Sequence, residues 1–323
     1  MSHYLFFRSS RAAYQQVAEL FDFVWPTAAA LWNLRWQVRG FADGLVSANQ
    51  EVLHGRFVEG SGIHGANLKL ACIDMSWDKQ QQQFAKFLLV DLFAIYEGWL
   101  EHTLTDVGMN TKSLLNSLQA PSDPLKPSLG VGAGLLRLQT ASSPMLKSAF
   151  YDPLISHSKN SHSRLEQLFI AYRCFKELRN SLMHRGGKAD HRVVAAYVAY
   201  SALTASDLKS KELPQVHVPI LGENIALSLR GVVGFADVIR RLIATLDAEL
   251  ACVNGATAEL NAQWKLHFAT PGRTKKTRYA LPADALGREE TVRRLIVKIG
   301  LPKPRQLALL ELHLKSQRLI DSY

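Results

Sequence analysis

Arg179, Asn180 and His184 stand close together and carry side chains that can handle a phosphate and a proton. Arginine stays charged at every physiological pH and grips phosphate oxygens in a planar fork. Histidine titrates near neutrality and can give or take a proton. Asn180, four residues before His184, is its neighbour on a helix surface, where its amide could hydrogen-bond the imidazole or touch a ligand. The stretch that holds all three, FKELRNSLMHRGG at 175–187, closes a run of helical periodicity and stops at two glycines. On that helix Leu165, Leu168, Tyr172, Phe175, Leu182 and Met183 share one face, and Arg179 points through its middle. Burying an unpaired cation costs on the order of several kcal/mol. The arginine must therefore snorkel, pair with an acid, or sit where the apolar face has ended. An acid is at hand: Glu97 shares the face of Phe93 and Leu100 on an earlier helix. Arg179 and His184, five residues apart, diverge by roughly 140° on a regular helix. They reach one ligand only if the helix loosens at its end, or if two copies of the chain each supply one half.

Several elements must position these residues. Residues 81–105 predict a strong helix, with Leu89, Phe93, Tyr96, Leu100 and Leu104 on one face. The helix of 163–185 follows, with Ser161 or Ser163 as its cap, then shorter ones at 191–203 and a long one at 223–253. In the last, Val232, Phe235, Ala236, Ile239, Leu242, Ile243, Leu246 and Leu250 share a face. Residues 214–222, PQVHVPILG, are expected to be extended or irregular. Before residue 80, RAAYQQVAELFDFVW predicts a helix that ends at Pro26, and ALWNLRWQVRGF a second one. Four of the six tryptophans lie there, which suggests packing against something larger. Between 106 and 162 the pattern dissolves into Pro, Ser and Gly, a long connection expected to be functional or mobile, with short helices of its own or as a lid or partner-binding element. The GVGAG inside it lacks the strand, the spacing and the GK[ST] of a phosphate loop, so a glycine hinge is the expectation. After GRTKKTR, two short helices flank GLPKP and form either a small helix-turn-helix-like unit or plain packing elements.

Charge is uneven. The chain holds 38 Lys and Arg against 28 Asp and Glu, and residues 261–323 hold 13 of the former and 5 of the latter. Nearly all of the +10 therefore belongs to the C-terminal segment, which suits a polyanion, most simply nucleic acid, or simply keeps the chain in solution. Arg185, Arg273, Lys275, Lys276 and Arg278 are the candidate RNA contacts. Cys72, Cys174 and Cys252 show no pair spacing and are expected as reduced core thiols. No HExxH and no clustered Cys and His occur, so no metal and no cofactor is expected, and His157, His162 and His191 are taken as surface or capping residues. The first residues lack a secretory pattern, and no run is long and apolar enough for a bilayer, so a cytoplasmic protein with no membrane partner is expected.

Arg179-Asn180-Ser181-Leu182-Met183-His184, closing a helix with glycine soon after, resembles the R-x4-6-H signature of HEPN domains. The earlier helix LLVDLFAIYEGWLE, with Glu97 in the polar position, is similar to the core helix of that family. The resemblance covers roughly residues 80–255. Periodicity gives an all-α fold: a helical region at 1–78, a helical bundle over 79–255 with the insertion 106–162, and a small basic helical segment at 256–323; the resemblance implies that the bundle is HEPN-like and offers no counterpart for 1–78 or 256–323. It further implies a metal-independent endoribonuclease that acts as a homodimer, with Arg179, Asn180 and His184 catalytic and Glu97 orienting Arg179. The 2′-OH would attack the phosphate and leave 2′,3′-cyclic phosphate and 5′-OH ends. Members of the family serve as toxins or phage-defence effectors, so an antitoxin or regulatory partner is a further expectation. The alternative is a catalytically inactive HEPN-like RNA-binding or scaffold protein in which Arg179 and His184 are structural.

Overall fold

Three helices with apolar residues at helical spacing form the frame on which the rest packs. In the computed structural model, which describes residues 4–45, 48–268 and 281–320, these are α3 (Trp77–Asp106), α8 (Leu165–His184) and α10 (Leu229–Leu250). Thirteen α-helices and two isolated bridges make up the described regular structure, with short π and 3-10 turns between them. The fold is all-α. No helix among the described residues is long and apolar enough to cross a membrane.

The frame is held by aromatic rings. Phe175 of α8 stacks on Phe235 of α10 (4.4 Å, 14°), and Phe93 of α3 meets both Phe235 and Tyr172 at 5.2 and 5.0 Å. Each buried ring is worth on the order of 2–3 kcal/mol in area alone. The face expected on α10 is buried in full, and burial continues round the helix to Arg241, Thr245, Asp247 and Glu249. α10 starts six residues later than its periodicity suggested: Ser228 caps it by accepting from the Gly231 N–H. The residues before it are extended, because Ala189 and Gly187 pair with Glu223 and Ile225 instead. α8, unlike α10, starts without a serine cap. Ser161 is buried and donates its N–H to Thr245, and a 3-10 turn, His162–Arg164, leads in.

α1 (Arg8–Asp43) runs unbroken through Pro26, where two helices were expected. Pro26 lies on the exposed side, so water can serve the Asp22 carbonyl that loses its donor. Val24 and Ala28, buried on either side of the proline, hold the axis against its neighbours. α2 (Gln50–Phe57) then packs beside the far half of α1.

The stretch 106–162 has short helices of its own, packed on the main core. It forms α4 (Lys112–Ser117), α5 (Gly130–Thr140), α6 (Pro144–Leu146) and α7 (Asp152–Ile155). Leu114, Leu118, Val131, Leu138, Leu146, Phe150 and Leu154 enter the main core. GVGAG opens α5 rather than forming a hinge. A Cβ at Gly130, where φ is +78°, would collide with the Pro121 carbonyl, and one at Gly134 would come within 2.7 Å of Leu118. These glycines permit close approach of backbone and helix. α9 (His191–Ser201), α11 (Ala256–Phe268), α12 (Ala285–Lys298) and α13 (Ala308–Ser316) complete the chain. The last two are the pair expected on either side of GLPKP. One hydrophobic cluster includes Phe6, Phe7 and Val17, the α3–α8–α10 rings, and Leu260, Trp264, Ile296 and Leu310. The stretches before residue 79 and after 255 thus share a core with the middle. All three cysteines are buried and unbridged.

The chain start is pinned by Asp247 of α10, whose carboxylate accepts the N–H groups of Phe6 (2.7 Å) and Phe7 (3.1 Å). Burial pushes this carboxyl up to about 6, although those N–H donors, Ser10 and the charge of Arg11 pull it down. The native state then holds the proton more tightly than the unfolded chain, so this contribution to stability is complete at low pH and is lost as pH rises from about 4 to about 6. Urea unfolding of the wild type relative to Asp247→Asn should show that decline, since asparagine does not titrate. Asp247→Ala, which orphans both N–H groups, should cost about 3 kcal/mol in the same measurement.

Candidate functional site

Arg179 lies one turn beyond Phe175, and Glu97 one turn beyond Phe93. The ring packing of α3 against α8 therefore brings the two charges together. Arg179 Nη2 is 3.7 Å from Glu97 Oε2, and its side chain is 22% exposed against 28% for Glu97. The guanidinium lies 5.7 Å from the centre of the Phe93 ring, and its Nη1 donates to Asn180 Oδ1 at 3.0 Å. Arg179 Nε is buried and has no hydrogen-bond partner. Of the three expected escapes for a cation on this face, two operate: it pairs with an acid, and the buried face has begun to end. Met183, expected on that face, is 47% exposed because the last turn of α8 projects past the core.

Glu97 serves more than Arg179. Its Oε1 accepts from the Tyr172 hydroxyl at 3.2 Å and lies 3.1 Å from Lys176 Nζ. Lys176 also donates to Gln119 Oε1 at 2.7 Å and sits 5.5 Å from the Tyr172 ring centre. Burial, with Tyr96 and Glu97 nearby, holds the Tyr172 phenol well above its ordinary pKa, so it stays a neutral donor. Two cations therefore share one carboxylate, and the group carries a positive surplus at a half-open edge. Sequence reasoning missed Lys176 and Gln119. Lys176 was findable, being four residues after Tyr172 and three before Arg179 on the same stripe; Gln119 comes from a distant element and was not.

His184 is elsewhere. The helix stays regular to its last residue, and Arg185 and Gly187 both donate their N–H to the Ser181 carbonyl. Gly186 and Gly187 then turn with φ of +68° and +74°, values glycine adopts freely. The loosening that would swing His184 toward Arg179 does not occur, so the imidazole leaves the helix about 140° away from it. His184 is exposed and makes no side-chain hydrogen bond or ion pair among the described residues. Asn180 accepts from Arg179 rather than engaging His184, because the guanidinium is the nearer and charged donor.

Arg185, expected to contact RNA, is committed to the protein. Its Nη1 donates to Asp190 at 2.6 Å and its Nη2 to the buried Glu177 at 3.2 Å. Asp190 in turn caps α9, accepting from Arg192 and Val193, and those backbone bonds lower its pKa. Arg273, Lys275, Lys276 and Arg278 lie outside the described residues. In the tail, Arg288, Arg293, Arg305 and Lys315 have acidic partners, which spends part of its surplus charge internally. His162 pairs with the buried Glu249 at 2.8 Å, His157 stacks on Tyr4, and His191 is exposed. No group of three or more His, Cys, Asp and Glu is arranged around a common centre among the described residues. A 600 Å³ cavity lies apart from Arg179 and His184, between Trp25, Gln81, Gln82 and the start of α10.

No family model, no curated protein and no solved structure matches the chain. Any chemistry must be argued from the side chains themselves.

The Glu97 group gives a direct expectation. Glu97→Gln leaves Lys176 and Arg179 facing each other without an acid. Thermal unfolding should show a loss of about 1 kcal/mol, larger at low ionic strength, because the repulsion it exposes is screened by salt.

Proposed function

We propose that this protein is a metal-independent endoribonuclease of the HEPN type, assembled from two copies. The observation that carries the proposal is the contrast at the end of α8: Arg179 is oriented by Glu97, Asn180 and Phe93, while His184 is exposed and unpartnered. A histidine kept for packing would be buried or bonded; one kept for proton transfer is left free to meet a substrate. Within one copy the two side chains diverge, so a shared phosphate requires a second α8 end. The surface beside His184 suits that. Met183 is exposed, and Ile220 and Leu221 are left in water on the segment that pairs with residues 187–189.

In such a pair, one His184 takes the 2′-OH proton and the other returns a proton to the 5′-oxygen. The two Arg179 side chains stabilise the charge on the pentavalent phosphate. Asn180 and Glu97 keep each guanidinium in place. RNA is the substrate, the cytoplasm its setting, and growth arrest or phage defence under an antitoxin-like regulator the proposed role. One observation favours the rival, non-catalytic reading: Arg179 already has a carboxylate partner, as a purely structural arginine would.

Cleavage of total RNA and tRNA in EDTA separates the two. The wild type should cut and leave 2′,3′-cyclic phosphate and 5′-OH ends, and Arg179→Ala and His184→Ala should each lose at least about a hundredfold in rate. Cleavage that needs added magnesium, or that both variants retain, would overturn the proposal.

A further inference from the structure

α1 outruns the main core. Its first half packs there through Val24, whereas Val38, further along, belongs to a separate small cluster with Leu53, Val58, Leu68 and Cys72. On the flank of this arm three indoles meet. Trp32 lies steeply against Trp36 (5.7 Å, 81°) and against Trp77 (5.0 Å, 61°). Trp36 is nevertheless 60% exposed. The three line a cavity of 250 Å³ together with Arg35 and Arg39. Large aromatic side chains left in water around a concave surface mark a binding site more often than a packing fault.

The two arginines say what kind of ligand. Arg35 is only 3% exposed, yet its Nη1 donates to neutral acceptors alone, the Ala71 carbonyl (2.6 Å) and Gln80 Oε1 (2.8 Å). Arg39 donates to the Cys72 and Ile73 carbonyls at 2.7 and 3.2 Å. Neither has a carboxylate at ion-pair distance among the described residues. Burial and the like charge of Arg39 both push the Arg35 pKa down. Carbonyls satisfy the N–H geometry but leave the charges uncompensated, at a cost that an anion in the cavity would relieve.

An aromatic pocket also attracts cations, but here that place is taken. The Arg35 guanidinium already lies 5.9 Å from the Trp77 ring centre, and Arg39 adds a second positive charge. A further cation is repelled. The complement of exposed indoles beside two uncompensated guanidiniums is a planar aromatic group joined to an anion.

We propose that the Trp32–Trp36–Trp77 cavity binds a nucleotide moiety, its base against an indole and its phosphate beside Arg35 and Arg39. The moiety is either a free nucleotide or one residue of a single strand. The site shares no residue with the Arg179 group and stands whether or not the protein cleaves RNA.

The test uses the full chain. AMP and UMP are titrated by calorimetry, and a fluorescein-labelled 2′-O-methyl oligouridylate, which has no 2′-OH to attack, by polarisation. Binding by the wild type is expected, weakened about tenfold or more in Trp36→Ala and Arg39→Gln and reduced by added salt. Trp36 stands mostly in water, so its replacement leaves thermal unfolding unchanged; should Arg39→Gln loosen the arm, Trp36→Ala alone decides. An oligonucleotide that binds at least tenfold tighter than both mononucleotides identifies a strand as the source, and equal binding identifies the free nucleotide. No binding of either at millimolar concentration would overturn the proposal, as would wild-type affinity in Trp36→Ala or displacement of the bound probe by tetramethylammonium chloride well beyond that caused by sodium chloride at the same ionic strength.

Discussion

The stacking of Phe175 on Phe235, with Phe93 and Tyr172 closing the ring of contacts, is the constraint on which the rest of the structure depends. It fixes α3, α8 and α10 against one another, and Glu97 and Arg179 each stand one turn past a ring that takes part. Their meeting is a consequence of the packing rather than its cause: a pair this far exposed contributes little by itself. The rings also decide that Tyr172 is buried with its hydroxyl turned to Glu97, which adds a neutral donor to the carboxylate. The short helices of 106–162 cover another side of the same core, with Tyr96 donating to the Leu118 carbonyl.

Arginines in this molecule divide by what answers their charge. Arg8, Arg185 and Arg241 are each held by carboxylates and serve the fold. Arg8 ties the start of α1 to Glu259 of α11, and Arg185 ties the end of α8 to the cap of α9. Arg35 and Arg39 are answered only by carbonyl and amide oxygens. Arg179 falls between, sharing Glu97 with Lys176 and keeping one buried N–H unpaired. Positive charge without a full acidic partner thus stands, among other places, at the edge of α8 and on the flank of the α1 arm. The basic tail, by contrast, neutralises several of its own cations against nearby acids.

The end of α8 sets what a single copy can do. The helix holds its hydrogen bonds to the last turn and is closed by two glycines with positive φ, so Arg179 and His184 stay on different sides of it. Met183, next to His184, is exposed, as are Ile220 and Leu221 on the segment that backbone hydrogen bonds hold to residues 187–189.

Periodicity alone determined the all-α class, the extents of α3, α8 and α9 within a few residues, and the buried stripes of α3 and α10, because those faces repeat at 3.6 residues whatever they pack against. It also placed Glu97 and Arg179 on apolar stripes that could face each other, while the lack of any pair spacing marked the cysteines as core thiols. Local signals misled where long-range packing overrode them. Pro26 was outvoted by the buried residues on either side, and GVGAG served close approach to Pro121 and Leu118, partners no local pattern reveals. The pairing of 223–225 with 187–189 shortened α10. Only the tertiary structure could show that Arg185 is spent on Glu177 and Asp190, that Lys176 shares Glu97, that His184 stands apart from Arg179, and that three tryptophans around two arginines form a cavity. Each of these depends on which distant side chain supplies the opposing charge or surface, and a one-dimensional pattern records spacing but not the partner.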